Sequence, residues 1–89
     1  MDIIFSPEAL EDYAYWKDSS PATVGRIKRL LKDMSAHPFS GIGKPERLKY
    51  DLSGKWSRRI NAEHRIVYVV RPSIGDIYVL ALRYHYSRK

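Results

Sequence analysis

The amino-acid sequence predicts an α+β fold in which an N-terminal strand and a two-helix hairpin pack on a twisted, mainly antiparallel sheet. Helical spacing of apolar residues is confined to the first 36 residues, and a loop rich in glycine and proline follows at residues 38–45. The rest of the chain consists of short apolar or alternating segments between turn residues, as in antiparallel strands. Because 89 residues suffice for one small core, we expect a single domain over residues 1–89.

The first third of the chain predicts a strand and two helices. Residues 2–5 form a short apolar run, after which Ser6 can cap a helix and Pro7 suits its first position. This helix is expected to last about three turns, until residues 18–20 break its pattern. Ser20 followed by Pro21 repeats the start signal.

The second helix has an apolar stripe opposite several basic residues. The stripe comprises Val24, Ile27, Leu30, Leu31 and Met34. Since so few residues separate the two helices, we expect an antiparallel hairpin that ends at His37–Pro38.

Four strands are predicted after the loop, and the sheet face without helices is the expected ligand side. The predicted strands are Glu46–Lys49, Trp56–Asn61, His64–Arg71 and Ile77–Tyr84. Residues 72–75 connect the last two strands. Because one parity of the third strand includes cations, we expect the open face to bind an anionic ligand.

Charge and composition narrow the function further. The net charge is +6, and residues 44–89 hold eleven basic residues against four acids, a distribution typical of polyanion binders. No apolar run is long enough to cross a membrane, and an acid follows Met1, so we expect a cytoplasmic protein with no membrane partner. There is no cysteine, and the three histidines lack metal-ligand spacing. We therefore expect no metal and no cofactor.

Three side chains form a set that suits cleavage of RNA. Glu46 is flanked by cations and is either a solvated carboxylate or a general base; Arg65, at the start of a strand, either forms a salt bridge or stabilises a charged transition state. His85, between two tyrosines, either packs within the fold or transfers a proton near neutral pH. Together they can supply a base for the 2′-hydroxyl group, a cation for the phosphorane and an acid for the leaving oxygen.

Other motifs are assigned on weaker signals. Arg58 and Arg59 are either surface residues or part of a phosphate-binding strip. His64 is interpreted as structural. Residues 41–44 lack the full spacing of a phosphate loop and are assigned to loop geometry.

Motifs along nearly the whole chain resemble those of the YoeB-like (Txe/YoeB) toxins of bacterial toxin-antitoxin modules, part of the RelE superfamily. The matching residues are Tyr13, Tyr15, Trp16, Pro38, Phe39, Gly41, Gly43, Lys44, Pro45, Glu46, Leu48, Lys49, Leu52, Ser53, Gly54, Trp56, Ser57, Arg58, Arg59, Ile60, Glu63, His64, Arg65, Val67, Tyr68, Arg83, Tyr84, His85 and Tyr86. So long a string of residues in order is highly specific.

The resemblance implies a microbial ribonuclease-like fold and ribosome-dependent cleavage of mRNA by a metal-independent endoribonuclease that inhibits translation. It implies Glu46 as general base, Arg65 as transition-state cation, His85 as general acid and Tyr86 as a substrate contact. The expected supporting, RNA-binding cations are Lys44, Lys49, Arg58, Arg59 and Arg83.

The expected partners are the ribosome with its mRNA and rRNA, and a cognate acidic antitoxin of the YefM/Axe-like kind. The assembly is expected to be a homodimer or a toxin-antitoxin hetero-oligomer. Two departures from the family concern the chain after Tyr86, where Ser87–Lys89 continue, and the hairpin connection at residues 72–75, which is longer than usual.

Two further functions stay open at the level of sequence. The same charge pattern suits a non-catalytic inhibitor that binds the ribosome or RNA, because phosphate contacts alone give strong binding. Gyrase inhibition by a distant relative is disfavoured by the acid-base set.

A shared site places a condition on strand register. Arg65 and His85 face the same side only if directly opposed residues sum to an even number, as when Arg71 pairs with Ile77; pairing Arg71 with Asp76 requires a bulge to restore the site.

Overall fold

A computed structural model describes residues 1–83 and confirms the predicted α+β architecture. Its elements are β1 (Asp2–Phe5), α1 (Pro7–Ser19), α2 (Pro21–Ala36), β2 (Glu46–Arg47), a short 3-10 helix (Tyr50–Leu52), β3 (Trp56–Arg59), β4 (Arg65–Arg71) and β5 (Asp76–Ala81). The five strands form one sheet in the order β1-β5-β4-β3-β2. β1 runs parallel to β5, and the other neighbouring pairs are antiparallel.

Both helices begin at the predicted start signals. The side chain of Ser6 accepts a hydrogen bond from Ala9 N at 3.0 Å, and that of Ser20 accepts one from Thr23 N at 3.3 Å. A proline follows each cap. At this first helical position a backbone N–H group would have no acceptor within the helix, so proline, which lacks one, loses no hydrogen bond. Ser20 also ends α1, so one residue sets the corner of the helical hairpin.

The helices pack on one face of the sheet, called here the helix face. The core between them comprises Ala9, Trp16, Ile27, Leu30, Met34, Ile60, Ile66, Tyr68, Ile77, Val79 and Leu82. Two polar bonds fasten α1 to the end of β5: Trp16 Nε1 donates to Leu82 O at 2.8 Å, and Leu82 N donates to Asp12 Oδ2 at 2.8 Å. No helix within residues 1–83 is long and apolar enough to cross a membrane.

Several strands are shorter than the sequence predicts. β2 ends at Arg47 instead of Lys49, because the chain turns into the 3-10 helix, where Tyr50 has a φ of 61°. β3 ends at Arg59 and β4 begins at Arg65, so the connection spans residues 60–64, whereas the predicted strands leave only residues 62–63 between them. β2 therefore has only two residue pairs with the sheet.

The register of the β4–β5 hairpin differs from the even pairing that the shared site requires, and a bulge corrects it. Arg71 pairs with Asp76 and not with Ile77, and its guanidinium donates to the Asp76 carboxylate at 2.7 and 2.9 Å. Further along, β5 advances two residues while β4 advances one, after which Val67 pairs with Ala81. The even register is thus restored where β4 approaches Arg65.

Candidate active site

Glu46 lies in a row of residues that crosses the sheet on the face opposite the helices, called here the outer face. Glu46 pairs with Ser57, Ser57 with Val67 and Val67 with Ala81. Directly opposed residues share a face, and Ile66 and Tyr68, which flank Val67, are in the helix-face core. The middle of this row is well covered, since Ser57 is 2 % exposed, whereas Glu46 at the sheet edge is exposed.

The next row on the outer face consists of two arginines. Arg59 pairs directly with Arg65, one step of the alternation beyond the pair formed by Ser57 and Val67. Like charges directly opposite each other destabilise an antiparallel pair. An anion between the guanidinium groups would relieve this repulsion, because each group can donate two hydrogen bonds to phosphate oxygens.

Arg65 is held in place by the backbone of the β3–β4 connection. Its Nη1 donates to Asn61 O at 2.9 Å and to His64 O at 3.2 Å, and the residue is buried. The turn is itself ordered, because Asn61 Oδ1 accepts from the backbone N of Glu63 and of His64 at 2.9 and 2.8 Å. A guanidinium group held this way meets the requirement for a preorganised cation.

The supporting cations lie at the same edge of the sheet or near its end. Lys44 and Lys49 flank β2 and are exposed, as is Arg59. Lys44 has a φ of 53°, a conformation that is uncommon for a residue with a side chain. Arg83 lies after β5, with its guanidinium carbon 3.6 Å from the centroid of the Tyr15 ring.

Arg58 is placed on the helix face, which corrects the expectation that it contacts RNA. It is 0 % exposed and forms a salt bridge of 2.6 Å with Asp33 Oδ2. Its other donors bond to backbone carbonyls of residues 37–42 and to the Tyr68 hydroxyl oxygen. Successive residues of a strand point to opposite faces, so Arg58 and Arg59 cannot both face one ligand.

The electrostatic setting of Arg58 is built from a carboxylate and a phenol. The hydrogen bond from Arg58 lowers the pKa of Asp33, aided by the backbone N–H of Ile42. Burial raises the pKa of the Tyr68 phenol, despite the hydrogen bond from Arg58. The phenol therefore stays protonated and donates to Pro38 O at 3.0 Å.

His64 packs within the fold, in agreement with its interpretation as structural. Its ring meets that of Trp16 edge to face, with 4.9 Å between centroids, and its Nε2 lies 3.8 Å from Glu63 Oε1.

His85 and Tyr86, for which catalytic roles are predicted, and the Ser87–Lys89 extension lie outside the described residues. Within residues 1–83, no group of three or more histidine, aspartate or glutamate side chains could hold a metal ion.

Sequence reasoning did not find the Asp33–Arg58–Tyr68 network or an aromatic cavity on the helix face. The cavity, about 370 Å³, is lined by Phe39, Arg47, Ser53, Gly54, Trp56 and Val70. The ring centroids of Phe39 and Trp56 are 5.0 Å apart, and Phe39 is 52 % exposed. The alternation of β3 did indicate that one of its two arginines shares a face with Trp56, which was the available signal for the network.

Comparisons with known proteins agree with the resemblance seen in the sequence. A family profile described as the YoeB-like toxin of bacterial type II toxin-antitoxin systems matches residues 5–86. Toxin YoeB of Escherichia coli K12 is 48 % identical over 86 residues, which cover 97 % of this chain and all of that protein.

Solved structures show the same fold at similar identity. The YoeB/ParE toxin from Agrobacterium tumefaciens has a TM-score of 0.92 and 41 % identity, and the match covers 97 % of this chain and 100 % of that one. Staphylococcus aureus YoeB, 45 % identical, matches over 97 % of this chain and 98 % of its own. It is known in a heterotetrameric complex with YefM, with a TM-score of 0.85, and as a dimer, with a TM-score of 0.87.

Proposed function

The chain belongs to the YoeB-like toxins of bacterial type II toxin-antitoxin systems, and we propose that it is a metal-independent endoribonuclease that cleaves ribosome-bound mRNA and so inhibits translation. The observation that carries the proposal is the placement of Glu46, Arg59 and Arg65 in adjoining rows of the outer face. Between Glu46 and Arg65 lie two strand spacings of about 4.8 Å each and one row of the sheet, about 7 Å along the strands. Two long side chains can therefore reach one phosphodiester from opposite sides.

The proposed reaction is an internal transfer at phosphorus. The Glu46 carboxylate accepts the proton of the 2′-hydroxyl group, whose oxygen then bonds to phosphorus while the bond from phosphorus to the 5′ oxygen breaks. Arg65 and Arg59 stabilise the charge that accumulates on the phosphoryl oxygens. His85 donates the proton to the leaving 5′ oxygen, and Tyr86 contacts the substrate; both roles rest on the family resemblance. The products are a 2′,3′-cyclic phosphate and a 5′-hydroxyl end.

The exposed cations extend the anion site beyond the scissile phosphate. Lys44 and Lys49 lie at either side of the short strand that carries Glu46, where they would contact neighbouring phosphates. Arg83 adds a cation near the end of β5. The net charge of +6 favours the ribosome and its RNA as the surface on which the enzyme acts, in the cytoplasm.

The same charge distribution supports an acidic antitoxin as the second partner. Staphylococcus aureus YoeB forms a heterotetramer with YefM and is also known as a dimer. We propose that this chain likewise binds a YefM-like antitoxin and assembles as a dimer or as a toxin-antitoxin hetero-oligomer. An acidic, extended segment would neutralise the basic outer face while it covers Glu46.

The test is cleavage of a defined mRNA in a reconstituted translation system. Glu46→Gln and His85→Ala are each expected to lower the cleavage rate by about 10² to 10⁴-fold, because each removes one proton-transfer group. Glu11→Gln, the same chemical change on an exposed residue of α1, is the matched control and should cleave like the unmodified chain. Full cleavage by both site variants would disprove the assignment.

The chemistry of the ends tests the metal-independent reaction. A transcript with a 2′-O-methyl group at the cleaved nucleotide should resist cleavage, and the unmodified transcript should give cyclic phosphate and 5′-hydroxyl ends. Cleavage of the methylated transcript would show that the 2′ oxygen is not the nucleophile. Arrest of translation with intact transcripts would instead favour the non-catalytic inhibitor.

A further inference from the structure

The loop that precedes Glu46 is fastened to the helix face by one arginine. Arg58 Nη2 donates to His37 O and to Ser40 O, the latter at 2.7 Å, and Nη1 donates to Ile42 O at 3.2 Å. The loop, residues 37–43, has no regular secondary structure to hold its shape. The hydrogen bonds from this one guanidinium group therefore hold the loop backbone, as hydrogen bonds to a neighbouring strand would hold a β-strand.

Asp33 and Tyr68 complete the attachment from the helix and from the sheet. Asp33 Oδ2 accepts from Arg58 Nη1 at 2.6 Å and from Ile42 N at 3.0 Å, so it holds both the arginine and the loop. Tyr68 accepts from Arg58 Nε at 3.1 Å and donates to Pro38 O at 3.0 Å. The loop thus makes contacts with α2, β3 and β4 through one connected network.

The loop backbone packs so closely on this network that two positions require glycine. A Cβ atom at Gly41 would lie 1.9 Å from Asp33 Oδ2, and one at Gly43 would lie 2.6 Å from Leu30 Cδ2 and 3.2 Å from Arg58 Cβ. Both glycines have positive φ values, of 114° and 81°. The loop therefore follows the surface presented by Asp33 and Arg58 at van der Waals distance.

The fastened loop leads directly to the candidate site. Gly43 O accepts from Arg59 N at 2.7 Å, and Lys44 and Pro45 then connect the loop to Glu46. β2 has only two residue pairs with β3, so the sheet alone gives Glu46 little restraint. The direction of the chain as it enters β2 is set by the loop.

We propose that Asp33 and Arg58 are positioning residues for Glu46, which they place against the RNA phosphate by fixing the 37–43 loop. This inference rests on the proposed ribonuclease function. A displacement of about 1 Å of a reacting group can cost about 100-fold in rate. Loss of the attachment should therefore reduce kcat while KM changes little, because Lys49, Arg59 and Arg65 do not depend on this network for their charge.

The experiment uses variants of Asp33, which lies on α2 and is 23 % exposed, and circular dichroism verifies that each variant is folded. Asp33→Ala removes the acceptor for Arg58 and for Ile42 N, and should lower kcat for cleavage of ribosome-bound mRNA by about 10 to 100-fold with KM within about threefold. Asp33→Asn retains a side-chain oxygen and should recover most of kcat. Ile27→Val, a mildly destabilising core change on the same helix, is the control and should retain kcat.

Amide hydrogen exchange measures the loop without reference to activity. The amides of Ile42 and Arg59 donate to Asp33 and to the loop, respectively, and should exchange faster in Asp33→Ala but not in Ile27→Val. Unchanged exchange, or a kcat for Asp33→Ala equal to that of Ile27→Val, overturns the inference. Absence of Glu46-dependent cleavage in the unmodified chain would refute the proposed function instead, and the exchange measurement would still test the attachment.

Discussion

Arg58 and Arg59 are consecutive residues of β3 with opposite surroundings. Arg58 is wholly buried and bonds to a carboxylate, a phenol and three backbone carbonyls. Arg59 is exposed and pairs directly with Arg65, and the described residues provide no salt-bridge partner for either of the two. The guanidinium group of Arg58 thus bonds within the fold, whereas that of Arg59 is exposed and, in the proposed function, available to a ligand.

This difference separates structural cations from cations that suit an anion. On the helix face the positive charge of Arg58 is balanced within the fold, since the Asp33 carboxylate bonds to it. On the outer face, two like charges lie opposite each other, an arrangement that costs stability unless an anion binds. The net charge alone could not distinguish the two faces, because both contribute to the same total.

Replacing the buried arginine or the exposed one should show the largest difference in the free energy of unfolding. Arg58→Met should lower the free energy of unfolding by about 3 kcal/mol, because it leaves several buried acceptors without a donor. Arg59→Met, the matched change on the outer face, should change this free energy by no more than about 0.5 kcal/mol in either direction, because it removes an exposed side chain and the repulsion from Arg65. Urea unfolding followed by circular dichroism measures both. Equal losses would show that the two faces do not differ in this way.

A steric test of the helix face compares two glycines. Gly43→Ala should cost about 2 kcal/mol, since its Cβ would contact Leu30 and Arg58 in addition to the strain of a positive φ. Gly54→Ala has a similar φ of 92° but nothing within 4 Å of its Cβ, and should cost only about 1 kcal/mol. The difference in thermal stability between the two isolates the close packing of the loop. No difference would contradict that packing.

An ionic-strength test sharpens the assignment of the outer face. In a Glu46→Gln background, which should prevent cleavage, Arg59→Met should weaken binding to mRNA-programmed ribosomes by about tenfold. The slope of log K against log salt should fall by about one, because one phosphate contact is lost. Sedimentation over a range of salt concentrations provides the measurement. An unchanged slope would remove Arg59 from the RNA interface.

The smallest expected effect concerns acid stability on the helix face. The pKa of Asp33 is below its ordinary value of 3.8 in the folded chain, so its carboxylate contributes stability that is present above about pH 4 and is lost as the pH falls through the folded pKa. The stability difference between the unmodified chain and Asp33→Asn should therefore shrink below pH 4. Urea unfolding between about pH 2.5 and 6 would reveal this change, and a constant difference would contradict the role of the charge.

Much of the fold was predictable because its signals are local. Ser6 and Ser20, each followed by proline, start helices whatever their tertiary contacts, and both helices begin there. The candidate site was predictable only in part. The alternation of β3 separates Arg58 from Arg59, but it does not say which one faces the helices.

The register was the least predictable feature. The salt bridge between Arg71 and Asp76 favours the odd pairing at the turn, and an extra residue in β5 restores the even one. The sequence of one strand does not indicate which of these two registers forms, because register depends on the side chains of both paired strands. The length of β2 was overestimated for a related reason: the turn at Tyr50 ends it, and alternation in the sequence continues past that point.

The sequence by itself determined the helical hairpin, the mainly antiparallel sheet, the basic C-terminal half and the family, because capping, periodicity and motif order are properties of consecutive residues. Tertiary structure alone decided that Arg58 is buried, that Glu46 shares a face with Arg59 and Arg65, and that a bulge aligns the end of β4 with β5. The physical reason is that a strand offers two equivalent faces. Only packing against the helices and the loop makes one of them the interior and leaves the other for a ligand.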